Sequence, residues 1–265
     1  MLSNGNRIGS ELGAGITLTD RDRALLADLC RFSLLTGTQL QRLHFPSPRR
    51  ARRRLVRLCR AGLLLAHRVP ASRFRATLAY QLSDLGRSFA GAHRWSSVVT
   101  RRATAIHILE INEFVTLYST TLAVPRLREF VPSTDSRVLL SRTNGRLRYL
   151  EPDGSGVLET AGGRLPFFLE WDRGTESSYR FSQKVERYLF YWRSEVWRDT
   201  CATRPHLLVV VPDQRRADLL ARVIGSFTAT KPTGLPVTVA LREPVLRRIL
   251  PSLTVGMSAG RGSGR

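Results

Sequence analysis

Lysine and acidic residues are scarce in this strongly basic chain. Of its 42 basic residues only Lys184 and Lys231 are lysines, and 21 acidic residues leave a net charge of +21 over 265 residues. No Gly-x-x-x-x-Gly-Lys segment is present, which argues against ATP-driven chemistry. The surplus of positive charge favours a polyanionic partner, with nucleic acid ahead of acidic lipid.

Long apolar runs and paired cysteines are also missing. No segment approaches the roughly 20 apolar residues that cross a bilayer, and residues 1–16 lack the basic start and apolar stretch of a secretory signal. Cys30, Cys59 and Cys201 are isolated in the sequence, which excludes the common zinc spacings and a disulfide framework. We therefore expect a soluble, cytoplasmic protein that does not contact membranes.

The first hundred residues show the pattern of three helices and a hairpin. Thr19 is a good N-cap for a first helix, a short second helix follows Thr36, and a third begins at Pro48 and ends at Gly62. Two extended segments, LLLAHRV and LAYQLSD, then flank a basic loop. This order predicts a winged helix-turn-helix domain over residues 17–98, in which the third helix enters the DNA major groove.

The third helix concentrates positive charge on one face. Like charges at this spacing repel each other, and DNA phosphates would relieve that repulsion. We expect duplex DNA as the partner, with Gln39 and Arg42 as candidates for contacts to base edges, and affinity that falls steeply with salt. The alternative is a solvated face in an arginine-rich protein. The predicted phosphate contacts are Arg49, Arg50, Arg53, Arg54, Arg57 and Arg60 on the helix, with Arg68, Arg73 and Arg75 in the wing.

The rest of the chain has the pattern of an α/β domain over residues 99–257. A long helix comes first, followed by four short extended segments, LREFVPS, SRVLLS, RLRYLEPDG and RLPFFLEWD, with Gly-rich turns between them. A helix over about 176–197, a continuously apolar strand HLLVVVPD, a further helix and a last strand PVTVAL complete the order. The order predicts a mixed central sheet. Residues 1–16 and 258–265 are expected to be flexible or disordered.

Acidic residues collect where the segment PFFLEWDRGTES ends. Glu170 and Asp172 are two residues apart on a predicted strand and so share a face, and Asp153 follows another extended segment that could lie beside them. Converging carboxylates repel unless a cation is shared, and oxygen ligands suit Mg²⁺ or Mn²⁺. Such an ion would make this a candidate nuclease centre, with Asp153, Glu170 and Asp172 as metal ligands and catalytic residues.

Lys184 is the fourth candidate catalytic residue. A lysine in a chain that otherwise uses arginine indicates a need for a compact ammonium group, and its position at the edge of the buried helix face lets it reach the acids. The alternative is a structural ion pair that only holds the helix against the sheet. Both interpretations place Lys184 near the carboxylates.

The motifs together resemble the replication-relaxation family of bacterial plasmids and mobile elements. The resemblance covers about residues 17–230 and is most specific in EPDG followed by FFLEWDRGTES and KVERY. It implies a winged DNA-binding region, a restriction-endonuclease-like core and a role in plasmid replication or DNA relaxation. The wider nuclease superfamily has lysine where this chain has Asp172, and Lys184 is the candidate replacement.

Three functional hypotheses follow from the residues and the resemblance. The first is a DNA-binding protein of a plasmid or mobile element that acts in replication, relaxation or mobilisation, together with other replication or mobilisation proteins. The second is a Mg²⁺- or Mn²⁺-dependent endonuclease or nickase. The third is a transcriptional regulator that forms a homodimer through its second domain.

Overall fold

The computed structural model describes residues 16–72, 75–91, 102–133, 135–143, 146–194, 196–199, 201, 203–229 and 236–251. The chain divides into two compact units, Met1–Thr116 and Leu117–Arg265. The predicted boundary between residues 98 and 99 lies before this division. Residues 1–15 and 258–265, for which flexibility was expected, fall outside the described residues, whereas Ile16, assigned to the same N-terminal segment, is described and buried.

The first unit contains short helices and a small sheet. Its elements are α1 (Asp20–Phe32), β1 (Leu35–Thr36), α2 (Gly37–His44), α3 (Pro48–Arg60), β2 (Leu64–Ser72), β3 (Arg75–Leu82), α4 (Asp84–Phe89) and most of α5 (Arg102–Ser119). β2 and β3 form an antiparallel hairpin, and β1 pairs antiparallel with the other edge of β3. The element order is therefore helix, helix, helix and hairpin, as the sequence predicts.

Local capping residues explain where these helices begin. The side chain of Thr19 accepts from the backbone N–H of Asp22, and the carboxylate of Asp22 accepts from the backbone N–H of Thr19. These two bonds form a capping box for α1. Thr36 and Gln39 form the same arrangement for α2. Ser47 caps α3, and Pro48 occupies its first turn, where the missing N–H has no helical partner to lose.

Hydrogen bonds to residues distant in the sequence join helix α5 to the other elements of the first unit. Asn112 donates its side-chain amide to the carbonyl of Leu34 at 2.7 Å, and Gln39 donates to the carbonyl of Leu109 at 2.9 Å. Ala105 and Leu109 add apolar contacts with the core of that unit. These contacts place most of α5 in the first unit, although the sequence pattern suggested that the helix opens the second.

The second unit is built around a five-stranded sheet. Its elements are β4 (Arg126–Pro132), β5 (Val138–Thr143), β6 (Arg146–Leu150), β7 (Gly154–Thr160), β8 (Gly163–Trp171), α6 (Ser178–Arg193), a 3-10 helix (Val196–Asp199), β9 (His206–Val211), α7 (Gln214–Ala229), β10 (Val237–Leu241) and α8 (Arg242–Leu246). The strand order is β10, β9, β8, β7, β4, while β5 and β6 form a separate hairpin.

The predicted mixed sheet is confirmed. β9 is parallel to both β8 and β10, whereas β7 is antiparallel to both β8 and β4. The sequence pattern did not predict β7, because the two glycines in GSGVLET are typical of a turn. Its neighbour β4 approaches closely at Gly156, where an added Cβ would lie 2.2 Å from the carbonyl oxygen of Glu129.

Strand β9 lies inside the sheet between β10 and β8, and all six of its residues are buried. One wall of this core is the apolar face of α6, where Tyr188 and Tyr191 pack against Phe168 with ring centroids 5.7 and 5.3 Å apart. Among the described residues, no helix combines the length and the hydrophobicity that spanning a bilayer requires.

Candidate functional site

Six arginines of α3 form an exposed surface, which we call the basic face of α3. Its members are Arg49, Arg50, Arg52, Arg53, Arg57 and Arg60. The opposite side of the helix buries Ala51, Leu55 and Leu58, so the apolar contacts with the unit hold these guanidinium groups toward solvent. No side chain of the six forms an ion pair within the described residues, and α3 contains no acidic residue.

Arg54 does not belong to this face, contrary to the sequence prediction. Its side chain turns inward and donates from Nε to Oδ1 of Asp22 at 2.8 Å, with a second bond from Nη2 to Oδ2 of Asp22. Nη2 also donates to the carbonyl of Thr17 at 2.9 Å. Arg54 therefore holds α3 against the start of α1, because its guanidinium group donates to both oxygens of the Asp22 carboxylate, which is only 1% exposed.

Gln39 and Arg42 are also unsuited to contact base edges. Gln39 is buried, and its amide donates to Leu109 and to Oε2 of Glu113, the latter at 3.0 Å. Arg42 donates to Oε1 of Glu113 at 2.8 Å and to the hydroxyl of Thr116 at 2.6 Å. Both side chains bind α5, whose contribution to this unit the sequence did not indicate.

The predicted wing contacts are described only in part. Arg68 lies on β2 with its side chain exposed. Arg73 and the side chain of Arg75 fall outside the described residues. Arg68 is therefore the predicted wing arginine whose exposed side chain the structure describes.

In the second unit, backbone pairing brings Asp153 beside Glu170. The antiparallel register joins Gly154 to Leu169, and the backbone N–H of Asp153 also donates to the carbonyl of Leu169 at 3.0 Å, which brings Asp153 close enough for its charge to act on the Glu170 carboxylate. Oδ2 of Asp153 accepts from the backbone N–H of Trp171 at 2.7 Å. Gly154 is required at the next position, because an added Cβ would lie 2.3 Å from the ring of Phe130.

Lys184 reaches Glu170, as the sequence analysis expected. Its Nζ lies 2.8 Å from Oε2 of Glu170 and 3.3 Å from Oε2 of Glu176, while the hydroxyl of Tyr188 donates to Oε1 of Glu170 at 2.6 Å. We call Asp153, Glu170, Lys184 and Tyr188 the carboxylate–lysine cluster. Both oxygens of Glu170 are thereby hydrogen-bonded at the end of a buried strand.

Burial controls the protonation of this cluster. It raises the pKa of Glu170 to about 7, since desolvation and the nearby Asp153 outweigh the attraction of Lys184. The pKa of Lys184 is also raised, because the negative charge of Glu170 outweighs the desolvation of its ammonium group. The pKa of the Tyr188 hydroxyl rises well above its usual value through desolvation and the same carboxylate. Glu170 can therefore exchange a proton near neutral pH while Lys184 stays charged.

Asp172 does not join Asp153 and Glu170. It follows the last residue of β8, and its Oδ2 accepts from Nη2 and Nε of Arg216 at 2.5 and 3.1 Å. Oδ1 accepts from the backbone N–H of Gly174, which closes a tight turn. The predicted set of three carboxylates is thus not formed, and in the described part of the chain no three His, Cys, Asp or Glu side chains gather as a metal-binding group.

Three residues of these surfaces and clusters were not predicted from the sequence. Arg52 was left out of the basic face although it lies on the exposed side of the same helix. Tyr188 follows Lys184 by one helical turn, a spacing that could have identified it as a partner of Glu170. Arg216 lies 44 residues beyond Asp172 and has no local signal that links it to that carboxylate.

The fold and these sites define a class of protein: an α+β chain of two units, one with an unpaired basic helix face and the other with a lysine–carboxylate pair at the end of a mixed sheet. The chain belongs to the replication-relaxation family, whose sequence profile matches residues 26–207.

Among solved structures, this chain is similar to a restriction endonuclease. The restriction endonuclease FokI is 15% identical, with 88% of this chain and 44% of that chain covered and a TM-score of 0.33. The present chain therefore spans less than half the length of FokI. No curated protein matches the sequence.

Proposed function

We propose that this protein binds duplex DNA through the basic face of α3 and acts in the replication, relaxation or mobilisation of a plasmid or another mobile element. The observation that carries this proposal is the row of six exposed arginines without ion-pair partners among the described residues. The membership in the replication-relaxation family supports the biological setting.

The charge and dimensions of the basic face of α3 suit a DNA groove. Unpaired guanidinium groups have no internal anion to lose on binding, so each phosphate contact adds affinity through counterion release. From Arg49 to Arg60 the helix rises about 17 Å, which spans several successive phosphates along one groove. The side chains nearest the helix start, Arg49 and Arg50, are the best placed for base edges, because recognition helices read bases mainly with their N-terminal residues.

The surrounding elements support a winged helix-turn-helix arrangement. α1, α2 and α3 precede a two-stranded hairpin that carries the exposed Arg68, and β1 adds a third strand to that hairpin. This is the element order in which the third helix enters the major groove and the hairpin follows the phosphate backbone. Arg54, Gln39 and Arg42 hold the helices in position and do not contact DNA.

Replacing Arg50, Arg53 and Arg57 together by alanine is expected to weaken duplex binding by about 500-fold at 0.1 M salt. Each lost phosphate contact makes the plot of log affinity against log salt less steep by about 0.9, so three losses reduce the steepness by about 2.7. At 0.1 M salt, tenfold below 1 M, this corresponds to about 500-fold in affinity. Gel shifts or fluorescence anisotropy over a salt series would measure both the affinity and the slope.

Arg222, an exposed arginine of α7, provides a matched control. Its replacement by alanine should leave the salt slope unchanged within about 0.9, the value for one contact. An unchanged affinity and slope in the triple alanine variant, with the fold intact by circular dichroism, would disprove duplex binding through α3.

A second candidate function is Mg²⁺- or Mn²⁺-dependent nicking of DNA, favoured by the contact between Lys184 and Glu170 beside Asp153. Two carboxylates and substrate phosphates are a common donor set for Mg²⁺, so Asp153 and Glu170 would hold the ion without Asp172. The ion would supply charge neutralisation at a phosphodiester. Lys184 would keep its positive charge beside the carboxylates, and Tyr188 would orient Glu170.

For this second function we expect nicking of supercoiled plasmid that depends on added Mg²⁺ or Mn²⁺. Glu170→Gln and Asp153→Asn should each reduce the rate at least about 100-fold, because each removes a charged ligand. Glu159→Gln, at an exposed carboxylate of β7, is the matched control. Plasmid that stays supercoiled with wild-type protein, or nicking that persists in folded Glu170→Gln, would exclude this activity and leave the DNA-binding function in place.

A further inference from the structure

We propose that a cavity beside α6 binds one nucleotide of single-stranded DNA. The cavity has a volume of about 460 Å³ and is lined by Leu140 and Arg148 of the β5–β6 hairpin, by Glu186, Arg187, Leu189, Phe190 and Arg193 of α6, and by Phe227 of α7. We call it the α6 cavity. The proposed duplex binding by α3 does not involve this surface.

The floor of the α6 cavity is apolar and contains an accessible aromatic ring. Leu140 and Leu189 are buried, Phe227 is half-buried, and Phe190 is 42% exposed. An aromatic ring that remains this exposed beside a cavity offers a surface on which a planar group can stack. The volume lies within the range of roughly 300–1,000 Å³ that is usual for small-ligand sites, which suits a single nucleotide.

Positive charge surrounds this floor. Arg148, Arg187 and Arg193 are exposed and have no ion pair or hydrogen bond from their side chains within the described part of the chain. Glu186 is the acidic residue in the lining, so three unpaired guanidinium groups face one carboxylate. The local charge therefore attracts an anion, and guanidinium groups suit phosphate oxygens in particular.

An exposed aromatic ring among arginines is the combination that binds single strands. Bases stack on the ring while the guanidinium groups contact the phosphates, and this binding tolerates any base sequence because every base has a flat face. A base in a duplex is already stacked between its neighbours and cannot enter the cavity. The choice of DNA over RNA rests on the proposed function, since the α6 cavity alone does not discriminate between the two sugars.

The α6 cavity is separate from the carboxylate–lysine cluster, although both use α6. Lys184 and Tyr188 extend toward Glu170, whereas Phe190 and Arg193 lie on the other side of the helix and line the cavity. Substitutions in the cavity can therefore be tested without removing a residue of the cluster.

The test measures binding of a fluorescent oligothymidylate by anisotropy in the full chain that carries Arg50, Arg53 and Arg57→Ala, so that the basic face of α3 contributes little. We expect Phe190→Ala to weaken binding about tenfold and Phe190→Tyr to preserve it, because stacking on a ring contributes this much per base. Arg187→Gln with Arg193→Gln should lower the salt slope by about 1.4, or 0.7 per lost contact to a single strand.

Tyr179→Ala is the matched aromatic control, since Tyr179 is an exposed ring of α6 that does not line the cavity. Equal affinity of the Phe190→Ala and parent proteins, or equal losses in Phe190→Ala and Tyr179→Ala, would overturn the proposal. Tighter binding of oligouridylate than of oligothymidylate would overturn the assignment to DNA. Duplex binding by α3 is measured separately in the protein with its arginines intact, so failure of one proposal does not imply failure of the other.

Discussion

Replacing Arg54 by alanine is expected to lower the free energy of unfolding by about 3–5 kcal/mol, because it leaves the buried Asp22 carboxylate without its cation. Asp22 is 1% exposed and accepts two bonds from Arg54 in addition to those from Thr19. Burial opposes ionisation of Asp22, but the hydrogen bonds from Arg54 and Thr19 outweigh it and hold the pKa of Asp22 below its ordinary value. Chemical denaturation monitored by circular dichroism would measure the loss.

The neighbouring Arg53 is the control for this prediction. Arg53 is exposed, so Arg53→Ala should change stability by no more than about 0.5 kcal/mol. DNA binding should show the reverse order of effects. Arg53→Ala should bind DNA more weakly because it loses a phosphate contact, whereas Arg54→Ala should retain full affinity at temperatures where it is folded. A stable Arg54→Ala protein with reduced DNA affinity would show that Arg54 belongs to the binding surface after all.

Replacing Lys184 by methionine is expected to destabilise the protein by about 3 kcal/mol above pH 7. This is the lower end of the usual cost of breaking a buried ion pair, since the Lys184 side chain is 31% exposed while Glu170 is 4% exposed. Glu170→Gln with Lys184→Met removes both charges and should recover most of the loss. Gln183→Met, at an exposed position one residue earlier on α6, controls for the added methionine.

The contribution of Glu170 to the free energy of unfolding should depend on pH. The folded protein holds the Glu170 proton up to a pKa of about 7, compared with 4.5 for an ordinary glutamate. Between these values the folded state binds more protons than the unfolded state, so the contribution of Glu170 to stability falls as the pH rises. Without Lys184 the pKa rises further, and Lys184→Met should continue to lose stability above pH 7. A loss in Lys184→Met that is independent of pH would show that Glu170 is not the group responsible.

Elements of the fold could largely be predicted from local patterns. Apolar spacing and capping residues located α1, α3 and α6, and the continuous apolar run of β9 marked a central strand. Strand β7 was missed because a glycine-rich segment has little intrinsic strand preference. It forms here because Gly154 and Gly156 admit Phe130 and the backbone at Glu129 at distances that a Cβ would prevent.

The candidate site was also predicted only in part, because local periodicity locates a side chain on its own element but not its distant partners. The helical position of Lys184 and the end of strand β8 at Glu170 were readable from periodicity, and the contact between them is present. Asp172 was assigned to the same face because residues two apart share a face on a regular strand. The strand ends at Trp171, so this alternation no longer applied, and Arg216 of a distant helix bound the carboxylate instead.

The sequence by itself determined the excess of arginine, the order of most elements, the basic helix and the pairing of a lysine with an acid. These are local properties, since side-chain periodicity follows from the backbone geometry of one element. Only the tertiary structure decided that Arg54 is structural while Arg53 is exposed, that Asp172 pairs with Arg216, and that Phe190 and three arginines surround one cavity. Such choices depend on which distant elements pack together, because a buried charge takes whichever partner the packing brings within hydrogen-bond distance.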